Sequence, residues 1–273
     1  MNAQTNGPAR ADIRVMAHLV AGYTTDDVAF AAAEGLAAGG VSYFEIQLPF
    51  SDPSADGPAI QTACARSLER GFRVSGGFAF ASRLRAAFPE IPVFLMSYAN
   101  LLWKPGIRDF VARAADAGVA GLIVPDLPFD SDEGLRAECE ARSLVSVPVA
   151  APSMSPGRIA LLSGRGFPYV YAALRAGITG KATVIDDDTL AFLRSLGAPE
   201  TPVLGGFGIR TGEQSGALAP HVHAVVAGSV FVTLIAESAA DGPDAVRLAV
   251  EKKARELAGS GTGGRSQGPE RRV

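Results

Sequence analysis

The stretch FEIQLPFSDPSADGP, residues 44–58, sets an acidic residue inside an apolar run and follows it with two aspartates among prolines. If residues 43–48 are a strand, Phe44, Ile46 and Leu48 share one face, and Tyr43, Glu45 and Gln47 share the other. In a barrel the second set points inward. An inward carboxylate is costly, and it is kept for one of two reasons. It forms a structural ion pair, for example with an arginine, or it gives and takes protons near neutral pH. Asp56 lies eleven positions after Glu45, beyond a Pro-rich loop, and the loop can carry it back over the barrel mouth. Two carboxylates would then flank one substrate. Asp52 and Asp56 equally suit turns and helix caps, since Asp-Pro and Asp-Gly are ordinary turn formers.

A second group of residues suits an anion. GGFGIR (205–210) and AGSVFV (227–232) are glycine-bearing ends of apolar runs, and the second leads into a short apolar helix. Backbone N–H groups at such a place hold phosphate, which makes Gly208, Gly228 and Ser229 the expected contacts. The polar, glycine-bearing loop RAGITGKATVIDDD (175–188) reads as a lid or as a plain connection. Other chemistries lack their residues. His221 and His223 form an H-x-H pair with no third ligand at a useful spacing, so no metal is expected, and His18 reads as a packed strand residue. G-x-S-x-G, Walker and strand-bound G-x-G-x-x-G patterns are absent. Lys104 and Lys181 follow strands instead of lying within them, which disfavours imine chemistry.

These residues need a scaffold. Eight short runs rich in Val, Ile, Leu and aromatics, at 18–23, 43–49, 92–99, 121–128, 145–152, 169–174, 202–208 and 223–228, alternate with amphipathic stretches such as 26–38, 107–118, 131–143 and 243–258. Eight even β/α units predict a single-domain TIM (β/α)8 barrel over 15–258, in preference to an open doubly wound sheet. Residues 1–14 and 259–273 read as flexible ends. The chain has 273 residues, of which 48% are hydrophobic, enough for one large core. A net charge of -3 offers no broad basic surface for nucleic acid or an anionic membrane. No apolar run reaches the roughly 18 residues of a membrane span. Two cysteines, Cys64 and Cys139, make no disulfide framework, and the first residues lack a signal peptide's apolar core, so a reducing cytoplasm is expected.

At residues 44–61 the chain closely resembles the signature of the tryptophan synthase alpha subunit family, Glu-Leu-Gly-Ile/Val-Pro-Phe-Ser-Asp-Pro-x-Ala-Asp-Gly-Pro-x-Ile-Gln. Further family motifs match Tyr98–Asn100, Asp126–Pro128, Arg175–Gly180, Gly206–Ile209 and Gly228–Ser229. The resemblance spans 16–257. It implies a TIM barrel that cleaves indole-3-glycerol phosphate to indole and glyceraldehyde 3-phosphate, with no cofactor of its own. The implied partner is a pyridoxal-phosphate beta subunit in an alpha2beta2 heterotetramer. By the same resemblance Glu45 moves the protons, Asp56 stabilises charge at the indole N–H, and Tyr171 places a hydroxyl near Glu45. Phe207, Leu127 and Tyr98 would contact substrate, Thr179 would latch the lid to Asp56, and Gly180 would join the phosphate site.

The sequence also departs from the family. Gln47 stands for a glycine, Leu174 for a serine, GYTT (22–25) for Gly-Asp-Pro, and Arg210 for a common serine. Arg210 adds a cation beside the expected phosphate, and Gln47 narrows the mouth. Two other readings follow: a barrel enzyme on another phosphorylated substrate, or a weakly catalytic activator of a beta subunit. The expected partner surface combines Asp52 and Pro53 with the 99–106 loop that carries Asn100, Leu102 and Trp103. The two apolar groups there either face a partner or pack on a neighbouring helix.

Overall fold

The structure, a computed structural model, describes residues 13–174, 185–197, 201–206 and 208–259. Nine parallel strand segments run in chain order: β1 (Val15–Val20), β2 (Tyr43–Gln47), β3 (Val93–Met96), β4 (Gly121–Ile123), β5 (Val145–Val147), β6 (Val149–Ala150), β7 (Val170–Ala173), β8 (Val203–Gly206) and β9 (Ala224–Ala227). Their lateral order is β5-β4-β3-β2-β1-β9-β8-β7-β6. The two ends, β5 and β6, are separated in the chain only by Pro148. Proline has no N–H to donate, so the run at 145–150 changes partner there: β5 pairs with β4, β6 with β7, and the Pro148 carbonyl accepts from Tyr171 N at 2.9 Å. Eight strand positions result, and the sheet is a TIM barrel.

The strands are buried on both faces, as parallel strands under helices must be. Their outward residues, among them Phe44, Ile46, Leu48 and Leu95, join the helices in the larger apolar core. Their inward residues form a second cluster with Met16, Phe94, Met96, Tyr98, Tyr171 and Leu204. The barrel is floored at the N-terminal strand ends by Tyr43, Phe94, Tyr169 and His223, whose rings meet edge-on or tilted with Tyr43 Oη 2.9 Å from His223 Nε2. His223, half of the H-x-H pair, therefore belongs to this floor.

Helix boundaries follow local chemistry. Thr25 caps the helix Asp26–Ala38 by accepting from Val28 N, and Asp26 and Asp27 suit the positive end of the helix. Pro58 opens Pro58–Glu69, where its missing N–H costs nothing. The helix expected across 131–143 is shorter, Leu135–Glu140. Part of the expected lid is helical, since Asp186 caps Asp187–Ser195 by accepting from Thr189 N. The rest of that loop and the 260–273 tail lie outside the described residues. No described helix is long and apolar enough to cross a membrane.

The first helix and the last, Pro243–Leu257, touch nearly backbone to backbone. A β carbon at Gly35 would meet the Arg247 carbonyl and stand 2.6 Å from Val250 Cγ2. Gly35→Val must push these helices apart, and overpacking of this kind costs about 1 to 3 kcal/mol. The expected result is a thermal midpoint lower by roughly 3 to 10 °C. An unchanged midpoint in differential scanning calorimetry would show that the seam has slack.

Candidate active site

The register of β1 against β2 sets His18 beside Glu45, and β3 sets Phe94 on the other side. Glu45 points inward, as alternation requires, and is 2% exposed. Its partner is an imidazole and not an arginine: His18 Nδ1 lies 3.2 Å from Glu45 Oε2. Burial drives the imidazolium down, but the Glu45 carboxylate, with help from Asp56 and Gln47, outweighs it and leaves the His18 pKa raised. His18 is a packed strand residue, as its sequence surroundings indicate, and also the partner of Glu45. All six residues of β1 are buried, so polarity along VMAHLV gives no inward face, and only the cross-strand register reveals the pair.

Two tight turns return the loop after β2 to the barrel mouth, with Ser54 N donating to Asp52 O at 2.8 Å and Asp56 N to Pro53 O at 3.0 Å. Asp56 is buried by this fold while Asp52 stays exposed. Asp56 Oδ2 accepts from Tyr98 Oη and from Gln47 Nε2, each at 2.7 Å. Burial pushes the Asp56 pKa up, only partly offset by His18 and by these two donors. Tyr98 is fixed in turn by Ala55 N, which donates to its oxygen at 3.0 Å, and by Phe50, stacked at 5.2 Å. Tyr98 therefore holds Asp56, and Gln47 reaches into the site instead of merely narrowing its mouth.

Tyr171, near the end of β7, is buried, and its phenol is held well above the usual range by burial first and then by Glu45 and Asp56. This places a neutral hydroxyl within the field of both carboxylates. The sequence-predicted anion site lies across the mouth. Gly208 has a φ of 79°, and Gly228 and Ser229 start the ten-residue helix Ser229–Ser238. A β carbon at Gly228 would lie 3.2 Å from His18 Cβ, so the glycine lets this turn close over the imidazole. Arg210 is exposed, with its N–H donating to Gln214 Oε1 at 2.8 Å. Leu127 is half-buried and packs on the larger, strand–helix core. Thr179, Gly180 and Phe207 lie outside the described residues.

The expected partner face changes in two particulars. Asp52, Asn100 and Trp103 are exposed, but Pro53 is buried and Leu102 is fully so. Asp126 Oδ1 accepts from Ala99 N at 2.9 Å and helps anchor the short helix Ala99–Trp103. That turn directs Leu102 into the core and leaves Trp103, 46% exposed, as the apolar group at the surface.

The sequence and the fold that carry these residues have matches among known proteins. A family model described as tryptophan synthase alpha chain covers residues 6–260. The tryptophan synthase alpha chain of Helicobacter hepaticus is 38% identical over 82% of this chain and 86% of its own length. That of Natronomonas pharaonis is 37% identical over 93% and 95%. Among solved structures, tryptophan synthase from Mycobacterium tuberculosis superposes with a TM-score of 0.79 at 28% identity, covering 91% of this chain and 92% of that one. A mutant alpha-subunit from Pyrococcus furiosus gives 0.78 at 28%, covering 90% and 98%. With a barrel fold and a family match over nearly the whole sequence, the chain belongs to the tryptophan synthase alpha chain family.

Proposed function

We propose that Glu45 and Asp56 carry the lyase reaction of this family, the retro-aldol cleavage of indole-3-glycerol phosphate to indole and glyceraldehyde 3-phosphate. The observation that carries this reading is the delivery of two buried carboxylates to one mouth by a single strand–loop unit. Cleavage needs one proton placed on indole C3 and one taken from the hydroxyl of the adjoining carbon. The carbon–carbon bond then breaks, its electron pair returns to the indole ring, and the former alcohol carbon leaves as an aldehyde. Glu45 moves both protons, taking the one on the hydroxyl and giving one to indole C3, so it ends the cycle as it began. Asp56 accepts from the indole N–H while positive charge sits on the ring, and Tyr171 adds a hydroxyl beside Glu45. Tyr98 supports the substrate side by holding Asp56.

The phosphate is assigned to the backbone of Gly208, Gly228 and Ser229 at the N-terminus of Ser229–Ser238 together with Gly180, while Phe207 lines the indole slot and Thr179 latches the lid to Asp56. Arg210 is exposed two residues after Gly208, and in this reading its guanidinium approaches the anion. The partner in this reading is a tryptophan synthase beta subunit in an alpha2beta2 assembly, working in the cytoplasm. The exposed Asp52, Asn100 and Trp103 on the mouth side support a docking surface through which an apolar product passes directly.

Glu45→Gln keeps shape and removes the titratable group, so indole release should fall at least about 100-fold while glyceraldehyde 3-phosphate still binds. Asp56→Asn should be comparably slow; if only KM rises, Asp56 shapes the loop and takes no part in the chemistry. For the surface, Asp52→Ala should weaken activation by a beta subunit more than it weakens phosphate-ligand affinity. Equal coupling of wild type and variant, followed by indole release and complex formation in one titration, would remove this loop from the interface.

A further inference from the structure

Three buried polar atoms at this place lack an ordinary hydrogen-bond partner among the described residues: Glu45 Oε2, which His18 Nδ1 meets at ion-pair distance, 3.2 Å, and His18 Nε2 and Gln47 Oε1. The orientation of the Gln47 amide is fixed by chemistry. A carboxylate only accepts, so Nε2 must face Asp56 Oδ2 at 2.7 Å, which turns Oε1 away from it. Gln47 also raises the His18 pKa, as an acceptor directed at the imidazole does. A doubly protonated ring has two N–H groups, one facing Glu45 and one that an amide oxygen of Gln47 can accept, in keeping with the rise Gln47 causes in the His18 pKa.

Resting on the assignment of Glu45 and Asp56 above, we propose that His18 is a positioning residue for the lyase site: Nδ1 fixes the Glu45 carboxylate, and Gln47 joins the pair to Asp56 in one polar chain across the mouth. The chain runs Glu45, His18, Gln47, Asp56, Tyr98; His18 Nδ1 lies 3.2 Å from Glu45 Oε2, Asp56 Oδ2 lies 2.7 Å from both Gln47 Nε2 and Tyr98 Oη, and the step from His18 to Gln47 is the inferred one. Every member is 5% exposed or less. A β carbon at Gly228 would stand 3.2 Å from His18 Cβ and 3.3 Å from Cγ, so a larger residue at this turn would crowd the imidazole from the β9 side. Among the described residues the ionisable groups acting on His18 are Glu45 from β2 and Asp56 from the following loop. The turn at Gly228 and Ser229 brings no ionisable side chain against it. The Cys64 thiol, 3.4 Å from Gln47 Nε2, is pushed up to about 12 by burial and stays neutral.

The sign of the pH effect follows. With its folded pKa raised, His18 holds its proton through the range where a free imidazole loses it, and the pair weakens as pH rises through the folded value. Turnover should therefore carry an alkaline limb that belongs to His18. The test compares wild type, His18→Leu, His18→Asn and Glu45→Gln as full chains, measuring kcat and KM for indole release across about pH 5 to 9. Asparagine places an amide N–H near the position of Nδ1 without a titrating proton. His18→Leu should lose about 100-fold in kcat, the cost of a carboxylate held out of place, with KM nearly unchanged. His18→Asn should recover most of that loss and lack the alkaline limb. Wild-type kcat and limb in His18→Leu, or a limb that persists in His18→Asn, or an Asn variant no faster than Leu, would overturn the proposal. Should His18→Leu fail to fold by circular dichroism, the limb of His18→Asn decides alone. An active Glu45→Gln would instead overturn the assignment of the carboxylates.

Discussion

Burying a carboxylate and an imidazole side by side in a packed barrel is the constraint on which the rest of this site depends. Each charged group taken out of water costs several kcal/mol, and mutual attraction offsets that only when geometry is good and the remaining polar atoms find partners. Glu45 and His18 meet at 3.2 Å because β1 and β2 are adjacent, parallel and in a register that sets the two Cα positions opposite each other. A slip of one residue would send Glu45 into the helix layer and Ile46 into the mouth. The fully apolar outward face of β2, with Phe44, Ile46 and Leu48 in the larger core, opposes that slip. The register that packs the core is therefore the register that forms the pair.

The loop after β2 solves a related problem for Asp56. Its two backbone turns and the Tyr98 hydroxyl fold it inward, while Asp52, four residues earlier, remains in solvent. One short segment so presents one carboxylate to the interior and another to the surface. The proposed chemistry and the proposed docking face are then joined by a few bonds of backbone. A partner that shifts Asp52 has a short route to Asp56, although coupling along it requires two discrete arrangements of the loop.

Much of this was legible in the sequence where a single physical rule acted alone. The β/α rhythm gave the barrel, the amphipathic stretch 26–38 gave the first helix with its observed bounds, and alternation turned Glu45 inward. Where two rules competed, the reading failed. The run at 145–152 is apolar throughout, yet Pro148 cannot donate and splits it into two segments with different neighbours. Pro53 lies in a polar, proline-rich loop and was expected at the partner surface, but the double turn at 52–56 buries it; of the two readings open for Leu102, the helical turn Ala99–Trp103 decides for packing. His18 was invisible for a different reason. Its neighbours are apolar on both faces of β1, and the residue that explains it lies twenty-seven positions away on another strand.

The two carboxylates are held in unlike surroundings, and unlike surroundings are what an acid–base reaction at one centre requires. Glu45 faces a titrating partner, so its charge can be met or released as the imidazole changes state. Asp56 faces two donors that do not titrate near neutrality: an amide, and a phenol pushed far up by burial and by Asp56 itself. Both donors reach the same oxygen, Oδ2, so among these contacts Oδ1 is not engaged and is suited to a ligand N–H. In the proposed reaction the group that must cycle its proton is the one beside histidine, and the group that must only accept is the one clamped by fixed donors. Gln47 connects the two, so a glycine in its place would leave the same carboxylates in the barrel without the amide that ties one to the other.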